Sequence, residues 1–486
     1  MSGDTTITLH PGDNRESLRR LIADGVRVHS VVTDPPYGLV STTKRFGGDK
    51  AAPAKFGSDG AFARSSAGFM GSKWDGTGIE RDPEFWALIW DILLPGGYCL
   101  AFSSARTGHW QACAMEMAGF VMHPFFGWTY GSGFPKAHNA SKAIDKEIGC
   151  AESSGAPKSA AHAGWIERGR MRGAEGDAEN HEGWQRPWME DSEAVSNAAR
   201  QYIPGSPEAA QWEGWAYGAQ SMKPALEPIY IGQKPFSEKN GALNLLRHGV
   251  GALNIDGCRV DLNGGYKSKP NGRPSHTGLP DGYDPEIANQ PDDRGRHPAN
   301  LLHDGSPEVV AMFPDSKGQQ ARSTDANRSQ VHTYGATSDN GKIYEPRNDS
   351  GSAARFFNSF PTEPDSGTEA EHPPLESLDA DPLFYHAKAT KADRAGSKHP
   401  TVKPIALMRW LVRLATPPGG TVLDPFGGSG TTGAAARAEG FDCILMEAED
   451  QFVADIRRRF GLVDPSADPF ADLFDLASDP FAELVA

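Results

Sequence analysis

Apolar residues recur with two different periods along the chain, and they concentrate near its two ends. Short runs of β-branched and aromatic residues predict strands, whereas apolar residues spaced three and four apart predict helices. In the N-terminal part, helices are predicted over 83–94 and 106–118, with a turn at Pro95-Gly96-Gly97 after the first. Strands are predicted at 26–33, 98–104, 119–130 and 227–232.

The same alternation returns after residue 398. Pro404 stands at the predicted start of a helix that continues to 416. It is followed by a strand (421–424), a glycine turn, a helix (431–439), a strand (441–447) and a helix (450–460). Strands that alternate with helices in this order are typical of a doubly wound parallel sheet, so the fold class is predicted to be α/β.

The middle of the chain lacks this periodicity. Residues 137–222 and 261–385 are rich in Gly, Ser, Asp, Asn and Pro, which predicts loop-rich insertions instead of independent cores. The C-terminal stretch 464–486 carries six acidic residues and no basic residue, and we expect it to be disordered.

Composition narrows the class of protein. No run approaches 18 apolar residues, and the N-terminus lacks the blocks of a secretory signal. The five cysteines are scattered without a CxxC pair, so neither a disulfide framework nor a metal site is expected. A reducing, cytoplasmic location is therefore the expectation.

Charge is unevenly distributed. The net charge of −15 argues against a nucleic-acid binder, but residues 386–403 hold five basic residues against one acid. Among them, Lys388, Lys391 and Arg394 are candidate phosphate contacts. A solvated charged face is the alternative interpretation.

The stretch VLDPFGGSGTT, residues 422–432, follows a predicted strand and opens a helix. Glycines allow a ligand to approach the backbone, and α/β sheets bind ligands at the carboxyl ends of their strands. The next strand ends in Glu447, which lies 23 positions after Asp424. An acid about 20 residues after such a turn binds ribose hydroxyls in nucleotide-binding units. An ordinary structural turn remains the alternative.

A second stretch, VVTDPPYG at residues 31–38, ends a β-branched run with Asp34 and two prolines. A diproline cannot continue a central strand, and its fixed φ angles hold the Pro35 carbonyl rigidly. A carboxylate, a fixed carbonyl and the Tyr37 ring therefore stand together where a strand stops.

These motifs resemble the amino-group DNA methyltransferases. DPPY is similar to their catalytic signature, DPFGGSGTT to their S-adenosylmethionine (SAM) turn, and HPTVKP (399–404) to the segment before that turn. With DPPY first and the turn last, the order resembles the β group. The resemblance covers 1–136, 223–235 and 396–460. It implies a Rossmann-like SAM-dependent methyltransferase sheet assembled from N- and C-terminal segments, with loop-rich recognition insertions.

The resemblance also implies a division of the chain. We expect a catalytic half, an insertion, the closing strand of the catalytic half, a target-recognition region, a SAM-binding half and an acidic tail. In that order their boundaries are 1–136, 137–222, 223–260, 261–395, 396–460 and 461–486.

Site residues follow from the matched motifs. Asp34 and the Pro35 carbonyl would accept the two N–H groups of an exocyclic amine, Pro36 would fix that carbonyl, and Tyr37 would stack on the base. Asp13 matches the acid that contacts the SAM adenine, although it also fits the N-cap of the following helix. The other expected cofactor residues are Lys403, Asp424, Pro425, Phe426, Gly427, Gly428, Gly430, Thr431, Thr432 and Glu447.

The expected partner is double-stranded DNA, with the target base flipped out of the duplex. Trp128 or Phe134 would pack beside that base, although a core tryptophan fits Trp128 as well, and Glu227 is a further candidate. The resemblance also implies a bacterial or phage-encoded protein, a homodimer and a cognate restriction enzyme. No membrane partner is expected.

Adenine N6 is the expected target, because DPPY is more frequent in adenine enzymes of this group. Cytosine N4 remains open, since its amine has the same geometry. Methylation of an RNA or protein amide is disfavoured by Asp34, because related enzymes carry asparagine there. A SAM-binding regulator without chemistry is the alternative from another class, and the intact motifs disfavour it.

Overall fold

A computed structural model describes most of both ends of the chain and parts of its middle. The described residues are 5–38, 77–131, 133, 136–150, 153–169, 191–260, 295–316, 351–360, 391–397, 399 and 401–463. The expected disordered tail lies outside these residues.

Nine described strands form one large sheet. They are β1 (Ile7–Pro11), β2 (Val28–Thr33), β3 (Leu93–Phe102), β4 (Val121–Thr129), β5 (Leu226–Gln233), β6 (Leu301–His303), β7 (Asn358–Ser359), β8 (Thr421–Asp424) and β9 (Asp442–Glu447). Their order is β1-β9-β8-β2-β3-β5-β4-β6-β7. Because β8 and β9 lie between β1 and β2, the two ends of the chain build one sheet, as predicted.

The described part of the chain contains thirteen helices, several of which pack on the two faces of this sheet. They are α1 (Asn14–Ala23), α2 (Pro83–Ile92), α3 (Gly108–Met117), α4 (Ala140–Glu147), α5 (Ala160–Arg168), α6 (Ser192–Ala199), α7 (Pro207–Ala210), α8 (Gly241–His248), α9 (Pro307–Ala311), α10 (Lys391–Arg394), α11 (Ile405–Ala415), α12 (Thr431–Glu439) and α13 (Asp450–Phe460). Short 3₁₀ turns occur at Ile79–Arg81, Asp256–Cys258 and Ala353–Phe356. None of the helices described is long and apolar enough to cross a membrane.

Two apolar cores lie on opposite faces of the sheet. On one face, α1, α2 and α3 contribute buried residues such as Leu18, Trp86 and Met115. On the other, α11 and α12 contribute residues such as Leu411 and Ala435. Helices packed on both faces are the defining feature of a doubly wound α/β fold, so the predicted fold class is confirmed.

The local sequence explains where α2 begins. The Asp82 side chain accepts the backbone N–H of Glu84 at 2.9 Å, and Pro83 occupies the first helical turn. This combination is typical of helix starts.

The turn predicted at Pro95-Gly96-Gly97 is not a turn in the structure but part of β3. The pairing of β3 with β2 is irregular there, between Val28 and Ser30.

The sheet is mixed, whereas a parallel sheet was predicted. β5 runs antiparallel to both of its neighbours, β3 and β4. Its first residues therefore lie at the edge where β2, β3 and β8 end. This reversal brings Glu227, opposite Trp128 in the register, to the same edge as Asp34.

The segment 137–222 holds more regular structure than the sequence predicts. Its described parts include α4 to α7 and two small antiparallel sheets, which pair Lys136–Asn139 with Ala216–Gln220 and Ser153–Pro157 with Arg200–Ile203. The buried Asp145 carboxylate accepts Tyr202 Oη at 2.5 Å, Gly205 N at 2.7 Å and Ser206 Oγ at 2.6 Å. The pattern of apolar residues does not reveal polar contacts of this kind, so it does not predict this regular structure.

Candidate active site

The carboxyl ends of β2, β8 and β9 meet at one edge of the sheet. β2 ends at Thr33, immediately before Asp34, and β8 ends at Asp424. Thr33 Oγ1 donates a hydrogen bond of 2.6 Å to Asp424 Oδ1. This buried bond joins the DPPY strand directly to the strand that carries the glycine turn.

Asp34 lies in a polar cluster assembled from distant parts of the sequence. Lys403 Nζ is 2.5 Å from Asp34 Oδ2, and the Lys403 side chain is only 7% exposed. The second carboxylate oxygen, Oδ1, is buried and has no hydrogen-bond partner among the described residues. Such a buried acceptor is costly to leave unpaired, and it is available to an N–H group of a substrate.

Tyr37 and Glu227 complete this group, which we call the lysine cluster (Asp34, Tyr37, Glu227 and Lys403). The Tyr37 hydroxyl donates to Glu227 Oε2 at 3.1 Å and accepts from Lys403 Nζ at 3.1 Å. Lys403 Nζ lies 3.7 Å from Glu227 Oε2. Thr107 Oγ1 donates to the Tyr37 carbonyl at 2.7 Å, which fixes the backbone after the diproline.

Burial dominates the electrostatics of the cluster. It raises the pKa of the Asp34 carboxyl; the Lys403 ammonium opposes this rise, and the Glu227 carboxylate adds to it. Burial, followed by the charges of Asp34 and Glu227, raises the pKa of Tyr37 well above 10. Tyr37 is therefore a neutral hydrogen-bond donor at physiological pH.

The glycine turn is pinned to the neighbouring strand. Gly427 N donates to the Met446 carbonyl at 2.7 Å, and Gly428 N donates to Glu447 Oε2 at 2.7 Å. Gly428 has φ of +52°, and a Cβ at this position would lie 3.3 Å from His399 Nε2. Gly430, at the start of α12, has φ of +77°. A side chain is therefore disfavoured at both positions.

Glu447 ends β9 beside this turn. Its Oε1 accepts Glu449 N at 2.9 Å in addition to the bond from Gly428 at Oε2. Burial raises the pKa of Glu447 to about 7, although these backbone bonds oppose the shift. Because a carboxylate has about four acceptor positions, Glu447 keeps acceptor capacity for a ligand beside these backbone bonds.

Asp424 uses both of its oxygens within the protein. Thr432 Oγ1 donates to Oδ2, while Thr33 Oγ1 and Phe426 N donate to Oδ1. Burial raises its pKa to about 6. Asp424 is thus a residue that shapes the turn through these three bonds.

The other predicted cofactor residues have contacts of their own. The Pro425 carbonyl accepts Asn14 Nδ2 at 3.1 Å, the Phe426 ring packs on Phe85 with centroids 5.3 Å apart, and Thr431 Oγ1 is 2.9 Å from Ser429 Oγ. Lys403, predicted beside the cofactor, has its ammonium group in the lysine cluster.

Asp13 occupies the N-cap of α1. Its Oδ1 accepts Arg15 N at 2.7 Å and Glu16 N at 3.1 Å. The next residue back, Gly12, donates to the Glu447 carbonyl at 2.8 Å. The capping alternative thus holds in the structure, and a contact to the SAM adenine stays a prediction.

Of the predicted DNA contacts, the structure buries one, shows a second bonded within the protein and does not describe the side chains of the others. Trp128 is fully buried between Phe102 and Tyr130, so the core alternative replaces the base-contact prediction. Its place in β4, with alternate residues facing the core, is the physical reason. Arg394 donates to the His399 carbonyl at 2.8 Å. Phe134, Lys388 and the Lys391 side chain lie outside the described residues.

Sequence reasoning missed Thr33 and Thr107. Thr33 directly precedes the DPPY motif, and this adjacency is a signal available in the sequence. Thr107 lies in no motif, so only the structure reveals its bond to Tyr37. Within the described ranges, no group of three His, Cys, Asp or Glu side chains is arranged to hold a metal ion.

Comparison with known proteins identifies a related family. Residues 288–458 match the N6/N4 methyltransferase family, described as DNA methylase. The chain is 39% identical to the type II methyltransferase M2.DpnII of Streptococcus pneumoniae over 69 residues, which cover 14% of this chain and 26% of the relative. It is 46% identical to the DNA adenine methyltransferase YhdJ of Escherichia coli K12 over 55 residues, 11% of this chain and 19% of the relative.

The matched stretches thus span about a quarter or less of these relatives. Among solved structures, a complex of M1.HpyAVI with SAM superposes with a TM-score of 0.35 at 13% identity, covering 94% of this chain and 100% of that one.

Proposed function

We propose that this chain, whose residues 288–458 match the N6/N4 DNA methylase family, is a SAM-dependent methyltransferase of duplex DNA. Its proposed target is the exocyclic N6 amine of adenine, flipped out of the helix. The DPPY motif and the resemblance to an enzyme named as an adenine methyltransferase favour adenine over cytosine N4.

One observation carries the proposal. The unpaired Asp34 Oδ1 lies one residue after Thr33, and Thr33 is hydrogen-bonded to Asp424 at the base of the glycine turn. A hydrogen-bond acceptor and a glycine turn suited to a ligand therefore share one edge of the sheet. Methyl transfer to an amine needs these two features side by side.

The residues supply the chemistry that a weak nucleophile requires. The lone pair of an adenine amine is delocalised into the ring. When Asp34 Oδ1 and the Pro35 carbonyl accept its two N–H groups, electron density returns to nitrogen and the attacking geometry is favoured. Positioning of this kind supplies about 7–11 kcal/mol of the barrier. The Tyr37 ring, partly exposed beside Asp34, would stack on the base.

The turn has features that fit SAM. Gly428 and Gly430 keep the backbone clear of side chains, and Glu447 retains acceptor positions for ribose hydroxyls. When bound, SAM supplies an electrophilic methyl group on a sulfonium. Asp424 fixes the shape of the turn through its hydrogen bonds, and Asp34 orients the acceptor amine.

Glu447→Gln is expected to weaken SAM binding about tenfold or more at pH 8, because hydrogen bonds to a charged acceptor contribute about 1.5–3 kcal/mol. The pKa of Glu447 is raised to about 7, so the carboxyl is protonated below that pH and ionised above it. SAM affinity of the wild type should therefore rise as pH increases through about 7, while the variant shows a flat profile.

Isothermal titration calorimetry with SAM from pH 6 to pH 8.5 measures this difference. Glu449→Gln is the matched control, since its side chain makes no capping bond at α13. Equal pH dependence in wild type and Glu447→Gln would exclude Glu447 as a SAM ligand.

The reaction itself is tested by mass spectrometry of nucleosides from DNA of cells that express the protein. N6-methyladenine is the expected product, with empty-vector cells as the control. N4-methylcytosine without N6-methyladenine would move the assignment to the cytosine enzymes. Absence of both from cells that contain folded protein would contradict the proposed activity.

A further inference from the structure

We propose that Lys403 is a positioning residue that keeps the Asp34 carboxylate ionised and fixed in orientation, and that Glu227 in turn holds Lys403 in place. This assignment rests on the proposed methyltransferase function. It differs from the role as a SAM contact that the resemblance implies for Lys403.

The geometry distinguishes the two oxygens of Asp34. Lys403 occupies Oδ2 at 2.5 Å, whereas Oδ1 stays buried and without a partner among the described residues. One oxygen is thus anchored and the other is left for the substrate. A carboxylate anchored on one side has a defined direction for its second acceptor, which is what alignment of an amine requires.

Lys403 is itself held from several sides. Tyr37 Oη lies at 3.1 Å and Glu227 Oε2 at 3.7 Å from its Nζ, and the Phe102 ring centroid lies at 4.8 Å. The Glu227 side chain is only 9% exposed. A buried ammonium with two carboxylates and an aromatic face around it is constrained in position.

The charges around Asp34 come from several elements. Lys403 precedes α11, Glu227 belongs to β5 and Tyr37 follows the diproline, while Asp424 at the end of β8 also interacts with Asp34. Lys403 is the only cation among these groups. It favours the ionised form of Asp34, and the Glu227 carboxylate disfavours it.

Two substitutions should therefore move the pH profile in opposite directions. The ionised Asp34 carboxylate is the stronger acceptor for the amine N–H, so activity declines on the acidic side of the pH–rate profile as Asp34 becomes protonated. Removing the cation in Lys403→Met raises the pKa of Asp34 further. The acidic limb of the pH–rate profile, which is the pH range over which activity declines, therefore moves up by about 1–3 pH units. Removing the negative charge in Glu227→Gln lowers that pKa, and the limb moves down.

The experiment measures single-turnover transfer of tritiated methyl groups to plasmid DNA between pH 5.5 and pH 9.5, together with SAM affinity by calorimetry. For Lys403→Met we expect the upward shift, partial recovery of activity at high pH and SAM affinity close to that of the wild type. Lys403→Arg, which keeps the charge, should return the limb towards the wild-type position.

Lys234→Met is the matched control. Lys234 Nζ donates to the Trp90 and Leu93 carbonyls at 2.8 Å each, beyond the far end of β5, so its removal should leave the limb in place. Thermal unfolding verifies that each variant is folded. If Lys403→Met fails this check, Glu227→Gln, which preserves side-chain shape, still tests the inference.

Two results would overturn the assignment. One is a limb that stays at the wild-type pH in the folded Lys403 and Glu227 variants. The other is a Lys403→Met enzyme whose only defect is weaker SAM binding, which would make Lys403 a cofactor contact. A wild-type protein that methylates no DNA would instead contradict the proposed function.

Discussion

Asp34→Ala should lower the rate of methyl transfer by about 100-fold or more while SAM binding survives. Removing one preorganised hydrogen-bonding group from a reaction centre typically costs a factor of about 10²–10³ in rate. Here the lost group is the unpaired Oδ1 acceptor, which the rest of the lysine cluster does not replace. The glycine turn does not depend on Asp34 for any of its hydrogen bonds.

Tritiated-methyl transfer to plasmid under single-turnover conditions measures the effect, and calorimetry with SAM measures binding. Asp34→Asn is the matched variant, because it keeps the shape and one oxygen acceptor but loses the charge. It should retain more activity than Asp34→Ala. Near-normal turnover in Asp34→Ala would exclude the hydrogen-bond mechanism.

Stability must be followed in the same variants. Asp34→Ala leaves the buried Lys403 with Glu227 at 3.7 Å as its remaining carboxylate. Breaking a buried ion pair from one side costs roughly 3–5 kcal/mol, so a lower unfolding temperature is expected in the alanine variant. Rates are therefore compared at a temperature at which every variant is folded.

The sequence predicts the sheet because its strands and helices carry strong periodicity. β8, α12, β9 and α13 agree with their predicted bounds to within a residue or two. The DPPY and glycine-turn motifs also mark strand ends, and parallel strands bring their carboxyl ends to one edge. These two facts are enough to anticipate that Asp34 and Asp424 are near one another.

The lysine cluster is a different case. Residues 34, 227 and 403 meet only because β5 is antiparallel, and the direction of a strand is not encoded in its own hydrophobic pattern. Trp128 shows the same limit. An aromatic residue beside a motif looks functional in sequence, yet its alternation within β4 buries it completely.

Asp424→Ala is expected to destabilise the fold more than most single substitutions. Three donors, Thr33 Oγ1, Thr432 Oγ1 and Phe426 N, lose their acceptor in a site that is 2% exposed. Each unsatisfied buried group costs about 1–3 kcal/mol, offset in part by removal of a desolvated carboxyl, so a net loss of about 3 kcal/mol is expected. Urea unfolding measures it. Asp442→Ala, which loses a single exposed bond from Thr6 N, is the control and should lose less than about 1 kcal/mol.

The bond between Thr33 and Asp424 joins residues that are 391 positions apart in sequence, and a double-mutant cycle isolates it. Thr33→Val in the wild type should cost about 1 kcal/mol or more, but considerably less when Asp424 is already alanine, because the acceptor is gone.

The pH dependence of stability gives an independent check. The pKa of Asp424 is raised to about 6 from an ordinary 3.8, so the folded state binds the extra proton between about pH 4 and pH 6. Its contribution to the free energy of unfolding therefore falls as pH rises through that window, and the fall should be absent from Asp424→Asn. If the costs of Thr33→Val and Asp424→Ala are additive in the double-mutant cycle, the Thr33–Asp424 bond does not contribute to joining the two halves of the sheet. The shared edge on which the proposed reaction depends would then be held by other contacts.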